Sequence, residues 1–140
     1  MVNFFLDTNV IYDFLADRKP HSREAAFLFS AAERGKIKLY VSAISFNNLY
    51  YVLRKDVGHK KAIELIALLD TLVTTIDLGS PIIRKAIKSK FKDFEDAIQY
   101  YSSLTEHKIQ AIVTRNSKDF KSNELLILDP ARAIKFVSGK

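Results

Sequence analysis

Oxygen-bearing side chains recur in this 140-residue chain beside short apolar runs. Asp7, followed by Thr8 and Asn9, comes straight after Asn3-Phe4-Phe5-Leu6. Asn47 and Asn48 lie in the stretch that follows Lys38-Leu39-Tyr40-Val41. Asp93-Phe94-Glu95-Asp96 opens a late amphipathic stretch, and Thr114-Arg115-Asn116-Ser117-Lys118-Asp119-Phe120 follows Ala111-Ile112-Val113. Carboxylates gathered from separate places repel one another unless a hard cation sits among them. Mg2+ and Mn2+ take oxygen ligands, and Mg2+ keeps several waters, so two or three carboxylates suffice. Such a cation polarises a phosphoryl oxygen and lowers the pKa of its water, which suits phosphodiester hydrolysis. Each acid also has a plainer role. Asp7 and Asp93 are good helix N-caps, Glu95 and Asp96 complement a positive helix end, and Asp119 is an ordinary loop acid beside Lys118. Against this, Asp93 and Asp96 share a helix face at i, i+3, where like charges are unfavourable. The plain roles also require independent coincidences at separate strand ends.

Several chemistries are excluded by composition. There is no Cys, so disulfides, thiolate catalysis and Cys-based zinc sites are ruled out. Four Gly residues form no phosphate-binding loop. His21, His59 and His107 have no pair spacing and are not expected to bind metal. The net charge of +6 favours an anionic partner such as nucleic acid. Arg115, Lys118 and Lys121 lie near the acids and are candidates for RNA phosphate contacts, whereas the run from Arg84 to Lys92 reads as a solvated face. The first residues reach Asp7 without a basic leader, and no apolar run approaches the ~20 residues of a membrane span. The expectation is one domain over residues 1–140, soluble and cytoplasmic, with no membrane partner.

The elements that must carry these residues follow from periodicity. Brief β-branched or aromatic runs at 3–6, 38–41, 73–76, 111–114 and 125–128 predict strands covered on both faces. Helical spacing fills the gaps: 21–34, 42–55 with Ser42 as N-cap, 59–72, Ser80 to Lys88, 93–106, and a last helix opened by Asp129-Pro130. Gly35 stands where a helix end needs a left-handed residue. Strands separated by helices make βαβ units. The predicted fold is therefore α/β, a three-layer αβα sandwich around a mainly parallel sheet of four to five strands. In such sheets, ligands bind outside the carboxyl ends of the strands.

Taken together, Leu6-Asp7-Thr8-Asn9-Val10, Asp93-Phe94-Glu95-Asp96-Ala97 and Thr114-Arg115-Asn116-Ser117-Lys118-Asp119-Phe120 resemble the PIN-domain family, with Val41 to Leu49 similar to its second motif. The resemblance runs from the first strand to about Pro130. It implies a metal-dependent ribonuclease using Mg2+ or Mn2+. In small VapC-like members it implies a toxin paired with an antitoxin protein. It makes Asp7 and Asp96 metal ligands, Asp93 a helper, and Thr114 and Asn116 parts of the fourth motif. Thr8 and Ser45 would orient ligands or water, and Arg115 and Lys118 would meet substrate. Two positions depart from the family pattern. Asn48 stands where the second motif has Glu, and Asn116 stands where the fourth has Asp, with Asp119 three residues on as a substitute. Asn supplies a neutral carbonyl oxygen in place of a charge.

Three functions compete. One is an endoribonuclease, the toxin of a pair. The second is a catalytically weakened PIN module that binds RNA or a protein partner, motivated by Asn48 and Asn116. The third is a phosphoacceptor domain of receiver or haloacid-dehalogenase type, since Asp7 follows a strand. Receivers need adjacent acids before the first helix, and dehalogenases need an aspartate where Asn9 stands, so neither pattern is met. Tyr50 and Tyr51 are candidates for a homodimer contact, with packing into the core as the alternative.

Overall fold

The computed structural model describes residues 1–139. The strands are β1 (Val2–Leu6), β2 (Ile37–Ser42), β3 (Thr74–Ile76), β4 (Ala111–Val113) and β5 (Leu126–Leu128). They form one sheet in the order β3-β2-β1-β4-β5, with every neighbouring pair parallel. The helices are α1 (Thr8–Leu15), α2 (Ser22–Glu33), α3 (Ala43–Leu72), α4 (Ser80–Lys88), α5 (Phe94–Ser103) and α6 (Pro130–Ser138). Among the described residues no helix is long and apolar enough to cross a membrane.

The two-residue repeat of the strands sends side chains to opposite faces. Val2, Phe4 and Leu6 of β1 join Leu39, Val41, Ala111 and Val113 in a core that is closed by α1, α2, α3 and α6. Phe5, Tyr40 and Ile112 point the other way, onto Tyr100 of α5 and Phe120. Ile82 and Ala86 of α4 pack with Ala97 and Ile98 of α5 on that side. The result is the three-layer αβα arrangement that the apolar runs predict, because a strand buried on both faces has no solvent side to make polar.

The winding places the site. From β1 the chain proceeds through β2 to β3 at one edge. It then returns to β4 on the other side of β1 and ends at β5. The strand order therefore reverses between β1 and β4, and a crevice opens there at the carboxyl ends. Asp7 and Thr114 emerge side by side at this reversal, joined by the bond from the Asp7 amide to the Val113 carbonyl at 3.0 Å.

Strand positions agree with the pattern to within a residue, and the caps at Ser42 and Asp129 are made by their side chains. Three helix boundaries differ, the first being the end of α5, which stops at Ser103 and not at 106. The stretches expected at 42–55 and 59–72 abut directly within α3, with Gly58 (φ 84°, ψ 169°) as a kink instead of a loop. Ser80, expected from Ser80-Pro81 as the cap with Pro81 first in the helix, is itself the first helical residue of α4, and the cap is Gly79, without a side-chain bond. Tyr50 packs against the core and bonds His59 Nδ1 through its hydroxyl at 2.8 Å, whereas Tyr51 is exposed.

The Gly58 backbone lies in a region that is nearly closed to other residues, yet a Cβ built there meets nothing within 4 Å. Gly58→Ala therefore isolates backbone strain from crowding. It should destabilise the protein by roughly 1–3 kcal/mol, read as a lower midpoint in urea with an unchanged slope.

Candidate active site

Asp7 is both a helix cap and the hub of a buried network. It is only 4% exposed. Its Oδ1 accepts the Thr8 amide at 2.7 Å, and its Oδ2 accepts the Thr114 hydroxyl at 2.7 Å and the Asn9 amide nitrogen at 3.4 Å. Thr114 Oγ1 in turn accepts from the Asn116 amide at 3.0 Å, and Asn9 Oδ1 accepts from the Arg115 amide at 3.3 Å. The segment after β4 is thereby fastened to the segment after β1. Burial raises the pKa of Asp7. The Thr114 and Thr8 bonds oppose that rise, and the charges of Asp93 and Asp119 add to it.

The second group of acids opens α5. Asp93 caps the helix by accepting the Asp96 amide at 3.1 Å. Asp93, Glu95 and Asp96 each offer a carboxylate oxygen, and these oxygens lie within 4.8 Å of one another. Glu95 also accepts from the side-chain amide of Asn48, which reaches it from α3. Burial, then the charges of Asp7 and Asp93, raise the Glu95 pKa, and Asn48 partly offsets them. Asp96 is pushed up to about 7, first by burial and then by Asp7, Asp93, Asp119 and Glu95. One pocket of about 290 Å3 collects Asp7, Thr8 and Asn9 after β1, Asn48 and Val52 of α3, Glu95 and Asp96 of α5, and Asn116 after β4, with Tyr12 and Arg18 also on its wall. A larger cavity of about 550 Å3, lined by Met1, Phe27, Arg34 and Val137 among others, has no carboxylate side chain and lies apart from this chemistry.

The acids of the pocket are uncompensated. Ion pairs among the described residues join Asp13 to Arg18 and Arg115, and Lys61 to Glu64; none reaches Asp7, Asp93, Glu95 or Asp96. Carboxylates this close must hold protons or a cation. The clustered oxygens of Asp93, Glu95 and Asp96 suit a hard divalent ion, and Asp7, expected from the sequence as a ligand with Asp96, lies outside that cluster but lines the same pocket as Glu95 and Asp96.

The Thr8 and Ser45 hydroxyls bond each other at 2.8 Å, and the Gln99 amide donates to both at 3.1 Å. Ser45 and Gln99 are fully buried, so this triangle ties α1, α3 and α5 together at the pocket. Arg115 turns its guanidinium onto Asp13, with Nε to Oδ2 at 2.6 Å and a second bond at 3.3 Å. Lys118 and Asp119 are exposed in a 3₁₀ turn, Ser117–Asp119, and Asp119 is near enough for its charge to act on Asp7 and Asp96. Sequence reasoning read Glu95 only as a helix-end acid and passed over Gln99, Tyr12 and Arg18. The i, i+3 step from Asp96 to Gln99 is the signal that was available for Gln99, since it continues the polar row inward along α5.

The profile of the PIN domain family matches residues 3–118. No curated protein sequence matches the chain. Among solved structures, the DNA-bound VapBC of Salmonella typhimurium is similar at 17% identity and a TM-score of 0.68, covering 93% of this chain and 99% of that one. A toxin–antitoxin complex from Klebsiella pneumoniae is similar at 21% identity and a TM-score of 0.65, covering 90% and 96%. VapC20 of Mycobacterium tuberculosis, described as a sarcin–ricin loop cleaving toxin, is similar at 16% identity and a TM-score of 0.62, covering 86% and 91%. At these identities the likeness is one of fold.

The acid cluster makes native stability depend on pH in an unusual direction. Because the folded pKa of Asp96 lies above its ordinary 3.8, at about 7, the native state holds that proton more tightly than the unfolded chain. Stability from this group is present below 3.8 and is lost as pH rises toward about 7. In EDTA, Asp96→Asn should therefore melt a few degrees above the parent at pH 8, with the advantage fading toward pH 4. Calorimetric melts across that range check it. Asp96 is only partly buried, so solvent screening keeps the effect modest.

Proposed function

The chain belongs to the PIN-domain family, and on that premise we propose that it is an Mg2+- or Mn2+-dependent endoribonuclease, the toxin of a toxin–antitoxin pair. The observation that carries this reading is the meeting of Asp7 with Glu95 and Asp96 in one pocket at the strand-order reversal, with Asp93 clustered beside the last two and no Lys or Arg paired to any of them. An antitoxin partner is supported by the likeness to VapBC and to the Klebsiella complex, and an RNA substrate by the likeness to VapC20.

A divalent ion held by Asp7 and Asp96 would draw charge from a phosphoryl oxygen and make water a better nucleophile. The chain's own residues set the geometry. Asp7 is immobilised by Thr8 and Thr114, so its carboxylate is aimed before any ligand arrives. Asp93, the cap of α5, lies beside Asp96, where its carboxylate accepts a proton from the water that attacks phosphorus. A new P–O bond forms as the ester P–O bond breaks, and the leaving oxygen takes up a proton from solvent. Asn48 holds Glu95, while Asn116 contributes a neutral oxygen and amide to the wall.

A second reading is a PIN module that binds RNA or a protein partner without cutting. It is favoured by the two neutral amides at Asn48 and Asn116, since each removes a charge that would otherwise hold metal.

Asp7→Asn and Asp96→Asn should each lower metal-dependent cleavage of RNA by at least about 100-fold with little change in circular dichroism. Cleavage at parental rates by both variants would overturn the nuclease. Calorimetric titration with MnCl2 separates the two readings: binding that both substitutions weaken supports the first, and RNA binding with no Mn2+ uptake at millimolar concentration supports the second.

A further inference from the structure

Arg18 lies on the pocket wall, and it is the one Lys or Arg among the residues that line it. A chain of phosphates entering between Asp7, Glu95 and Asp96 meets negative charge there, so a fixed cation at the rim has a defined use. Three contacts fix this one. Asp17, at φ 50°, turns the chain back beyond the end of α1. The Arg18 amide then bonds the Asp13 carbonyl at 3.0 Å, and the guanidinium carbon sits 4.4 Å from the centre of the Tyr12 ring. Tyr12 is itself anchored to α3 through a bond from its hydroxyl to Asp56 at 2.5 Å.

Asp13 decides which arginine is available. Its carboxylate is 1% exposed and is already bridged by Arg115 through two bonds, at 2.6 and 3.3 Å. Arg18 reaches the same carboxylate at 3.5 Å through one nitrogen, with 42% of its side chain exposed. A pair this long and this exposed contributes little to stability. Most of the guanidinium donors of Arg18 are thus left to solvent, in a plane that the tyrosine ring holds. Arg115, the sequence candidate for substrate contact, has its fork committed inward.

We propose that Arg18 is a substrate-binding residue that takes a phosphodiester of single-stranded RNA at the pocket rim. This rests on the RNA-directed reading of the pocket. It follows from the fork geometry of guanidinium with phosphate and from the acidic lining, which leaves Arg18 as the pocket's own cation toward substrate.

The test uses the full chain and a fluorescein-labelled single-stranded RNA oligonucleotide, with anisotropy measured in Ca2+ from 50 to 200 mM KCl. Arg18→Met should weaken binding roughly tenfold and reduce the slope of log affinity against log salt by about 0.7, the loss of one phosphate contact. Arg18→Lys should retain the slope and recover part of the affinity. Mn2+ binding by calorimetry should match the parent in both variants, and in Mg2+ the KM for RNA should rise while kcat holds. Arg34→Met, at the far cavity, is the control. An Arg18→Met protein that binds RNA like the parent, or loses no more than Arg34→Met does, overturns the assignment while leaving the nuclease reading intact. A parent protein that neither binds nor cuts RNA overturns both.

Discussion

The structure turns on a carboxylate that is buried without a counter-charge. Asp7 is almost wholly enclosed, and it shares its surroundings with the acids of α5. A group in that position is stable only if hydrogen bonds replace the water it has lost and if something offsets the remaining repulsion. The first need is met by the Thr8 amide and the Thr114 hydroxyl. The Thr8 bond is local, but the Thr114 bond requires the ends of β1 and β4 to be adjacent, which is the strand order the sheet adopts. The second need is not met by any basic side chain among the described residues, and the pocket is defined by that imbalance.

Asp13 makes the contrast plain. It is even more deeply buried than Asp7 and lies six residues further along, in α1. There the fold supplies two arginines, one from the loop after α1 and one from the segment after β4. Breaking such a buried pair leaves a bare charge inside the protein, so Arg115 is a structural clamp on the same loop that carries Thr114 and Asn116. One aspartate is thus neutralised and holds the site together. The other has no basic partner among the described residues and is held by hydrogen bonds alone.

The amides at 48 and 116 acquire a physical sense from the same balance. Asn48 donates to Glu95 across the gap between α3 and α5. A carboxylate in its place would face Glu95 with like charge and could donate nothing at neutral pH. Asn116 offers its backbone amide to Thr114, the residue that holds Asp7. The acids of this pocket are therefore concentrated at the start of α5, with amides on the walls facing them.

Much of this was legible in the linear chain. The apolar runs at Phe4-Phe5, Leu39-Tyr40-Val41 and Ala111-Ile112-Val113 specify buried strands because their lengths and residue types suit little else. Asp7, Asp93 and Asp96 stand out because local rules put Asp at helix starts, and one such acid directly after a strand with two more opening a later helix suggest a common purpose. What local rules could not decide is which side chain meets which. Arg115 looks free in the sequence and is spent on Asp13; Arg18 looks like a loop residue and is turned back over Tyr12. Gln99 is an ordinary helical polar residue until folding buries it between Thr8 and Ser45. Even the two helical stretches around Gly58 read as separate, because periodicity cannot report that a single positive φ joins them without a loop. Hydrophobic period and capping are properties of neighbours along the chain, so the sequence carries them. Partnership among charges depends on distances between segments a hundred residues apart, and only the packed sheet and helices set those.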